Sequence, residues 1–150
     1  MNYLERNRQS WNTGVMSTSA WAQPVDEATI AAARAGQWKV LLTPSTPVPK
    51  AWFPDIKGKN VLCLASGGGQ QVPILAAAGA VVVSFDLSEE QLRKDRWVAE
   101  REGLGVRCVR GDMANLDCFE DASFDWIFHP ASNVFAKAVE PIWRECYRVV

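Results

Sequence analysis

The stretch that decides the fold is residues 60–70, Asn-Val-Leu-Cys-Leu-Ala-Ser-Gly-Gly-Gly-Gln. Its first half is an apolar run that is too short for a helix and is typical of a buried strand. The three glycines that follow allow positive φ angles and let a ligand approach the main chain closely. A helix beginning at Gln70 presents its first N–H groups to the same place. The stretch therefore predicts a strand, a tight turn and a helix, with a ligand site at the turn.

Outward from this stretch, the chain continues as an alternation of strand-like and helix-like segments. Ser88 and Gln91 have the spacing of a capping box, and Gly103 ends the helix that they open. Further strands are predicted at residues 80–85, 106–110 and 124–129, and further helices at 88–102 and 139–147. Strands that alternate with helices form right-handed crossovers and a mostly parallel sheet. We therefore predict an α/β fold with a doubly wound, mostly parallel sheet.

The composition changes near residue 55, which divides the chain into two predicted parts. Residues 1–55 form a helical and proline-rich N-terminal extension, interpreted as a lid or cap, and residues 56–150 form the α/β core. Residues 43–49 are too rich in proline for a helix or a central strand, so we expect them to run extended over a surface. Residues 52–54 are expected to anchor the end of this segment. The predicted first helix has one face that carries Leu4, Asn7, Trp11 and Val15.

Composition and charge exclude several classes of protein. The 150 residues include 16 basic and 17 acidic side chains, so the chain lacks the positive charge that would hold nucleic acid or an anionic membrane by charge alone. The four cysteines form no CxxC pair and do not cluster with the one histidine, which argues against a metal site or a disulfide framework. Because no apolar signal core is found at the start, we expect a cytoplasmic location.

The glycine turn is followed by a carboxylate at the end of the second predicted strand, Asp86. A carboxylate there can accept both hydroxyls of a ribose, which favours a ligand that contains a nucleoside. The alternative is that the glycines only permit close packing and that Asp86 caps the next helix. Beyond the third strand, Asp112 can accept from an exocyclic amine while Leu87 and Met113 enclose an adenine ring. The alternative for this pair is that Asp112 caps a loop and Met113 fills the core.

These segments, in this order, resemble the motifs of the class I S-adenosylmethionine-dependent methyltransferases, whose sheet is Rossmann-like. The motifs are Val61–Gly69, Val83–Ser88, Gly111–Met113 and Phe124–Phe128, and the stretch from Trp38 to Val150 is similar to a bacterial subgroup of that family. The resemblance implies S-adenosylmethionine as cofactor and S-adenosylhomocysteine as product. It also implies that the three glycines line the methionine and the ribose. The candidate cofactor-binding residues are Trp21, Ala65, Ser66, Gly67, Gly68, Gly69, Gln70, Asp86, Leu87, Gln91, Asp112 and Met113.

The sequence departs from the family pattern at two positions. The commonest first motif has an acidic residue where this chain has Cys63 and a glycine where it has Ala65. The missing carboxylate leaves open how the ammonium group of the cofactor is held. Ser66, Gln70 or Gln71 are candidates to replace it by hydrogen bonding.

Methyl transfer is an in-line displacement from a sulfonium ion, so positioning of the reactants supplies much of the catalysis. His129 and Asn133, after the fourth strand, are the candidate catalytic residues: the histidine to take a proton from the acceptor and the asparagine to orient it. The alternative is a structural, hydrogen-bonded His129. For Trp21, a cation–π contact with the sulfonium competes with plain packing.

The acceptor is predicted to be a small molecule. The segment after the fourth strand lacks the Asp/Asn-Pro-Pro-aromatic pattern of amino-directed nucleic-acid methyltransferases, and the charge is neutral. A full fold of this class has seven strands and this chain supplies four, so it is apparently truncated. We therefore expect self-association through the exposed sheet edge. We also expect the chain to keep cofactor binding while it loses catalysis. Two other functions remain open: an NAD(P)-dependent oxidoreductase, and a non-catalytic module that binds a nucleoside or a partner.

Overall fold

The computed structural model describes residues 1–150. Its helices are α1 (Tyr3–Asn12), α2 (Glu27–Arg34), α3 (Gln71–Ala77), α4 (Glu89–Glu102) and α5 (Glu140–Val149). Its strands are β1 (Leu41–Thr43), β2 (Thr46–Pro47), β3 (Asn60–Leu64), β4 (Val81–Asp86), β5 (Val106–Arg110) and β6 (Trp126–Phe128). Short 3-10 turns lie at Val15–Thr18, Ala20–Ala22, Lys50–Trp52 and Ser132–Phe135. None of the helices combines the length and the apolar character that crossing a bilayer requires.

The main sheet has four parallel strands in the order β5-β4-β3-β6. β3 lies between β4 and β6, and Cys63 is in register with Ser84 on one side and with Phe128 on the other. The direction of winding therefore reverses at β3. This arrangement confirms the predicted doubly wound parallel sheet, and it puts the carboxyl end of β3 at the point where such sheets bind their ligands.

The residues predicted to begin and end α4 have the predicted roles. The Ser88 hydroxyl accepts a hydrogen bond from the Gln91 main-chain N–H at 3.2 Å, and Gly103 ends the helix in the left-handed region with a φ of 63°. β6 is shorter than predicted and begins at Trp126. It starts late because the Phe124 N–H donates to the Val149 carbonyl at the end of α5.

The sheet is covered on both faces, so the core has two halves. On one face α2, α3 and α4 bury Ile30, Leu75 and Val98 against β3 and β4. On the other face α5 packs Ile142 and Val149 against the sheet and the loop that follows β5. Each fully buried side chain of this size contributes about 1.5–3 kcal/mol of transfer free energy. The two layers fix the strand ends that surround the site.

The proline-rich segment forms a small antiparallel hairpin of β1 and β2, where an extended run was predicted. Phe53 anchors its end, because its ring lies 5.0 Å from the Trp38 ring and 4.9 Å from the Trp126 ring, centroid to centroid. Trp52 is 65% exposed, so the predicted anchor consists of one aromatic residue. Val15 is 83% exposed and lies beyond the end of α1, which corrects its assignment to the helical face of Trp11.

Candidate active site

A cavity opens at the carboxyl ends of β3, β4 and β5, next to the strand where the winding reverses. Its floor comes from residues 65–67, 85–87 and 111–114. Its walls come from α1, from Trp21 and from the turn at residues 130–136. The lining is mostly apolar, with a few polar side chains that converge from different elements. This composition is typical of a small-molecule site.

Asp86 is held at this cavity by hydrogen bonds from the main chain. Its Oδ2 accepts a hydrogen bond from the Gly67 N–H at 3.1 Å, and its Oδ1 accepts one from the Ser88 N–H at 2.9 Å. Burial raises the pKa of Asp86 to about 6, and the main-chain N–H groups oppose that rise. A carboxylate has about four accepting positions, so Asp86 can accept further hydrogen bonds from a ligand.

The residues predicted to enclose an adenine also meet at this cavity. Leu87, Asp112 and Met113 all line it. Asp112 Oδ1 accepts a hydrogen bond from the Ala114 N–H at 3.1 Å, so this carboxylate caps the loop, as the alternative interpretation proposed, while it faces the cavity. Gly111 lies against the Phe85 ring so closely that a Cβ would overlap it. This requirement for glycine could not be predicted from the local sequence.

The three glycines of the turn lie in different surroundings, and only one of them lines the cavity. Gly67 lines the cavity, but Gly68 and Gly69 lie outside it and face the N-terminal segment. Gly68 has a φ of +130°, and a Cβ there would come within 2.5 Å of the Trp21 carbonyl oxygen. At Gly69, with a φ of +79°, a Cβ would come within 2.9 Å of Pro24. These two glycines are needed for packing, and of the three only Gly67 lines the cavity; contact of all three with a ligand stays a prediction.

Two predicted glutamine ligands also hold the N-terminal segment instead of lining the cavity. Gln70 donates from Nε2 to the Ala20 carbonyl, and Gln91 donates from Nε2 to the Trp11 carbonyl at 2.9 Å. Gln91 is 1% exposed. Both side chains are used by long-range contacts that sequence spacing does not reveal. Each side chain keeps a buried Oε1 without a hydrogen-bond partner, so their assignment as cofactor ligands stays a prediction.

Ala65, Ser66 and Trp21 line the cavity as predicted, and Gln71 joins them. Ser66 Oγ and Gln71 Nε2 are buried and have no hydrogen-bond partner in the protein. Gln71 Oε1 already accepts from the Leu41 N–H at 2.9 Å, so its free group is a donor. A donor suits the carboxylate of an amino-acid ligand and not its ammonium group. Of the three candidates for the ammonium, Ser66 alone offers an accepting oxygen to the cavity.

His129 and Asn133 are brought together, but not at the cavity. His129 Nδ1 lies 2.9 Å from the Leu64 carbonyl oxygen, and Nε2 lies 3.0 Å from Asn133 Oδ1. Neither residue lines the cavity, although residues 130–132 between them do. Both ring nitrogens lie within hydrogen-bonding distance of atoms of the fold, which favours the structural alternative, and the catalytic assignment stays a prediction. The pair holds the turn after β6 against the end of β3.

Helix α1 supplies cavity residues that the sequence did not identify. Tyr3 lines the cavity, together with Leu4, Asn7 and Trp11 of the predicted helical face. Burial, and to a smaller extent the charge of Asp112, raises the pKa of the Tyr3 hydroxyl. The amphipathic spacing indicated a buried face on α1, but not the surface that it covers.

Asp95 of α4 is a buried acid that the sequence did not single out. Its Oδ1 accepts from the Gly69 N–H at 2.7 Å, and its Oδ2 accepts from the Ser84 hydroxyl at 2.7 Å. Burial raises its pKa to about 7. In the sequence it stands among the charged residues of a weakly amphipathic helix, so nothing local marks it as buried.

Comparison with known proteins agrees with this geometry. A model of the methyltransferase domain family matches residues 62–150. The chain is 51% identical over its whole length to the uncharacterized methyltransferase YbaJ of Bacillus subtilis, of which it covers 59%. It is 33% identical over 96 residues to a sterol 24-C-methyltransferase of Eremothecium gossypii. The aligned stretch covers 62% of this chain and 26% of that enzyme.

Solved structures show the same fold. A crystal structure of a Pyrococcus horikoshii protein matches with a TM-score of 0.56 and 35% identity, over 63% of this chain and 45% of that one. An S-adenosylmethionine-dependent methyltransferase from Mesorhizobium loti matches with a TM-score of 0.60 and 24% identity, over 67% of this chain and 46% of that one. The chain thus spans 59% of YbaJ and less than half of these two structures. It belongs to the methyltransferase domain family.

Proposed function

We propose that this chain binds S-adenosylmethionine and is the cofactor-binding part of a methyltransferase that acts on a small-molecule acceptor. One observation carries the proposal: Asp86 is tied to the Gly67 N–H and still faces a largely apolar cavity. A carboxylate held this way next to a bare glycine is suited to the two hydroxyls of a ribose. The family match to residues 62–150 supports the same conclusion.

The residues around the cavity suit the other parts of this cofactor. Asp112, Leu87 and Met113 line the cavity. In this proposal Asp112 accepts from the exocyclic amine of adenine, and Leu87 and Met113 supply apolar contact for the ring. The unpartnered donor of Gln71 and the hydroxyl of Ser66 suit the amino-acid end. When bound, the cofactor supplies an activated methyl group on a sulfonium ion. Trp21 lines the cavity, and an aromatic ring beside the sulfonium would attract it by a cation–π interaction.

The chain's contribution to catalysis is proposed to be positioning and exclusion of water. His129 lies against the Leu64 carbonyl and Asn133 and does not line the cavity, so we assign no proton transfer to it in this proposal. Leu4, Trp11 and Phe135 form apolar walls on the side opposite the strand ends. Such walls favour an acceptor that presents a nonpolar group near its reactive atom. The balanced charge of −1 does not favour nucleic acid as that acceptor.

Calorimetric titration of the chain with S-adenosylmethionine, S-adenosylhomocysteine and NAD tests this proposal. We expect both sulfur nucleosides to bind at one site per chain and NAD not to bind. Binding of NAD in their place would favour the oxidoreductase. If no nucleoside binds, the chain is the non-catalytic module and the proposed function is wrong.

Methyl transfer by the isolated chain is a separate question, because the chain spans 59% of its Bacillus relative. We propose that cofactor binding persists in these 150 residues while turnover requires further sequence. The strand ends that carry Asp86 and Asp112 are present, which supports the first half of this statement. Robust methylation of small acceptors by the isolated chain would contradict the second half.

A further inference from the structure

A second carboxylate lies beneath the glycine turn, on the side away from the cavity. Asp95 is 0% exposed and does not line the cavity. It receives hydrogen bonds from the Gly69 N–H and from the Ser84 hydroxyl, both at 2.7 Å. A Cβ on Gly67 would lie 3.3 Å from Asp95 Oδ2, so the carboxylate lies close to the glycine that lines the cavity. Asp95 therefore joins α4, β4 and the turn.

The surroundings of Asp95 do little to offset the free-energy cost of burying its carboxylate. The groups that donate to it are neutral, and the titratable groups that face it are Asp86 on β4, Cys63 on β3 and Cys108 on β5. None of these brings a positive charge. A buried carboxylate without a cationic partner destabilises a fold unless its hydrogen bonds offset the loss of solvent. Its position under the turn indicates that it serves the geometry of the turn.

Cys63 is next to this contact, because it is in register with Ser84, whose hydroxyl donates to Asp95. It is 0% exposed at the end of β3, and its thiol pKa is raised first by burial and then by the charge of Asp95. Position 63 is also where the commonest first motif of this family carries an acid. The chain therefore lacks a carboxylate on the strand and has one on the neighbouring helix, directed at the same turn.

We propose that Asp95 is a positioning residue for the cofactor, and that it supplies from α4 the carboxylate that position 63 lacks. By holding the Gly69 N–H, it keeps the turn in the conformation that presents Gly67 and Asp86 to the cavity. The inference rests on the proposed function, because its main readout is the affinity for S-adenosylmethionine. Asp95 itself does not contact the cavity, so it acts through the turn.

Three variants separate this role from general stability. Asp95→Ala removes the acceptor of the Gly69 N–H, and we expect the dissociation constant for S-adenosylmethionine to rise about tenfold or more. Asp95→Asn keeps a carbonyl oxygen for that N–H, and we expect affinity within about threefold of the wild type. Val98→Ala, one turn along α4 and fully buried, is the control that lowers stability without touching the turn. We expect its affinity to stay at the wild-type value.

Hydrogen exchange gives a readout that does not depend on the ligand. We expect the Gly69 amide of Asp95→Ala to exchange about tenfold faster or more, at matched global stability, and that of Val98→Ala to be unchanged relative to the wild type. If Gly69 is equally protected in Asp95→Ala and in Val98→Ala, Asp95 does not hold the turn and the proposal is wrong.

A swap tests whether positions 63 and 95 serve the same place. Cys63→Asp alone adds a third buried carboxylate next to Asp86 and Asp95, so we expect a lower melting temperature. In the Asp95→Ala background, the same substitution should tighten cofactor binding relative to Asp95→Ala. If Cys63→Asp does not tighten cofactor binding in this background, positions 63 and 95 do not serve the same place.

If the wild type binds no S-adenosylmethionine, the proposed function fails. If the wild type binds it and Asp95→Ala binds equally well, this inference alone fails.

Discussion

Oδ2 of Asp86 accepts a hydrogen bond from the Gly67 N–H at 3.1 Å, which joins the end of β4 to the turn after β3. The contact fixes the orientation of the carboxylate before any ligand arrives. A polar group that is already oriented loses little conformational freedom on binding, so its hydrogen bonds count more fully toward affinity.

Replacing this carboxylate is the first test of its role. We expect Asp86→Ala to weaken binding of S-adenosylmethionine about a hundredfold or more, because two hydrogen bonds to a charged acceptor are lost. Calorimetry measures the loss, and circular dichroism confirms the fold. Asp117→Ala, which removes an exposed carboxylate outside the cavity, is the matched control and should bind as the wild type does. Equal affinity for the two variants would show that Asp86 does not hold the ligand.

The buried acids predict how stability depends on pH. The pKa values of Asp86 and Asp95 are raised from 3.8 to about 6 and about 7, mainly by burial. Between these values the native state holds protons that the unfolded chain has released, so the free energy of unfolding should fall as the pH rises from 5 to 8. Chemical denaturation across this range measures the slope, which should be smaller in Asp95→Asn. A wild-type stability that rises with pH would contradict this assignment.

Cofactor affinity is expected to change in the opposite direction with pH. Ribose hydroxyls donate to an ionised carboxylate, and Asp86 ionises as the pH passes about 6. Affinity for S-adenosylmethionine should therefore rise between pH 5 and 7, while the unliganded protein becomes less stable. Titrations at three pH values check this, and a flat profile would mean that Asp86 is not the titrating acceptor.

The aromatic anchor of the proline-rich segment offers a matched pair of substitutions. Phe53→Ala removes a half-buried ring from contact with Trp38 and Trp126, and we expect the free energy of unfolding to fall by about 2–3 kcal/mol. Trp52→Ala alters a side chain that is 65% exposed, and we expect a change of about 0.5 kcal/mol or less. Chemical denaturation measures both. An equal loss in the two variants would refute the assignment of the anchor.

The glycine turn is expected to be sensitive at Gly68 for reasons of packing. Gly68→Ala would force a side chain into a φ of +130° and against the Trp21 carbonyl, so we expect a loss of about 3 kcal/mol in the free energy of unfolding. At Gly103 no atom lies within 4 Å of a new Cβ, so Gly103→Ala is disfavoured only by its positive φ. We expect its free energy of unfolding to fall by about 1 kcal/mol. Similar losses at both sites would mean that Trp21 does not restrict the turn.

Strand β6 leads to a proposal about association. It pairs with β3 on one side and lies at an edge of the sheet. Unpaired strand edges tend to pair with other chains, so we propose that the 150-residue chain self-associates through β6. Light scattering over a concentration series should show an average mass that rises above that of the monomer. A monomer at every concentration would argue against it.

Much of the fold could be predicted because its signals are local. The apolar run at Val61–Leu64, the cap at Ser88 and the stop at Gly103 each act within a few residues, and each predicted its element closely. The placement of Asp86 and Asp112 at the cavity followed from the rule that parallel strands end at one edge. That rule needs the order of elements and no side-chain detail.

The parts that could not be predicted depend on contacts between distant segments. Gly68 and Gln91 hold residues 11–22, and no spacing in the sequence reveals that this segment crosses the turn. Asp95 stands in a helix with many charged residues, where an exposed position was the ordinary expectation. His129 looked available until the fold placed Leu64 and Asn133 against its two nitrogens. Tertiary docking decided each of these.

The most direct measurement is a crystal structure of the chain grown with S-adenosylhomocysteine. We predict that both ribose hydroxyls will lie within hydrogen-bonding distance of the Asp86 carboxylate, with the adenine between Leu87 and Met113. A nucleoside bound elsewhere, with Asp86 still paired only to Gly67 and Ser88, would contradict the account.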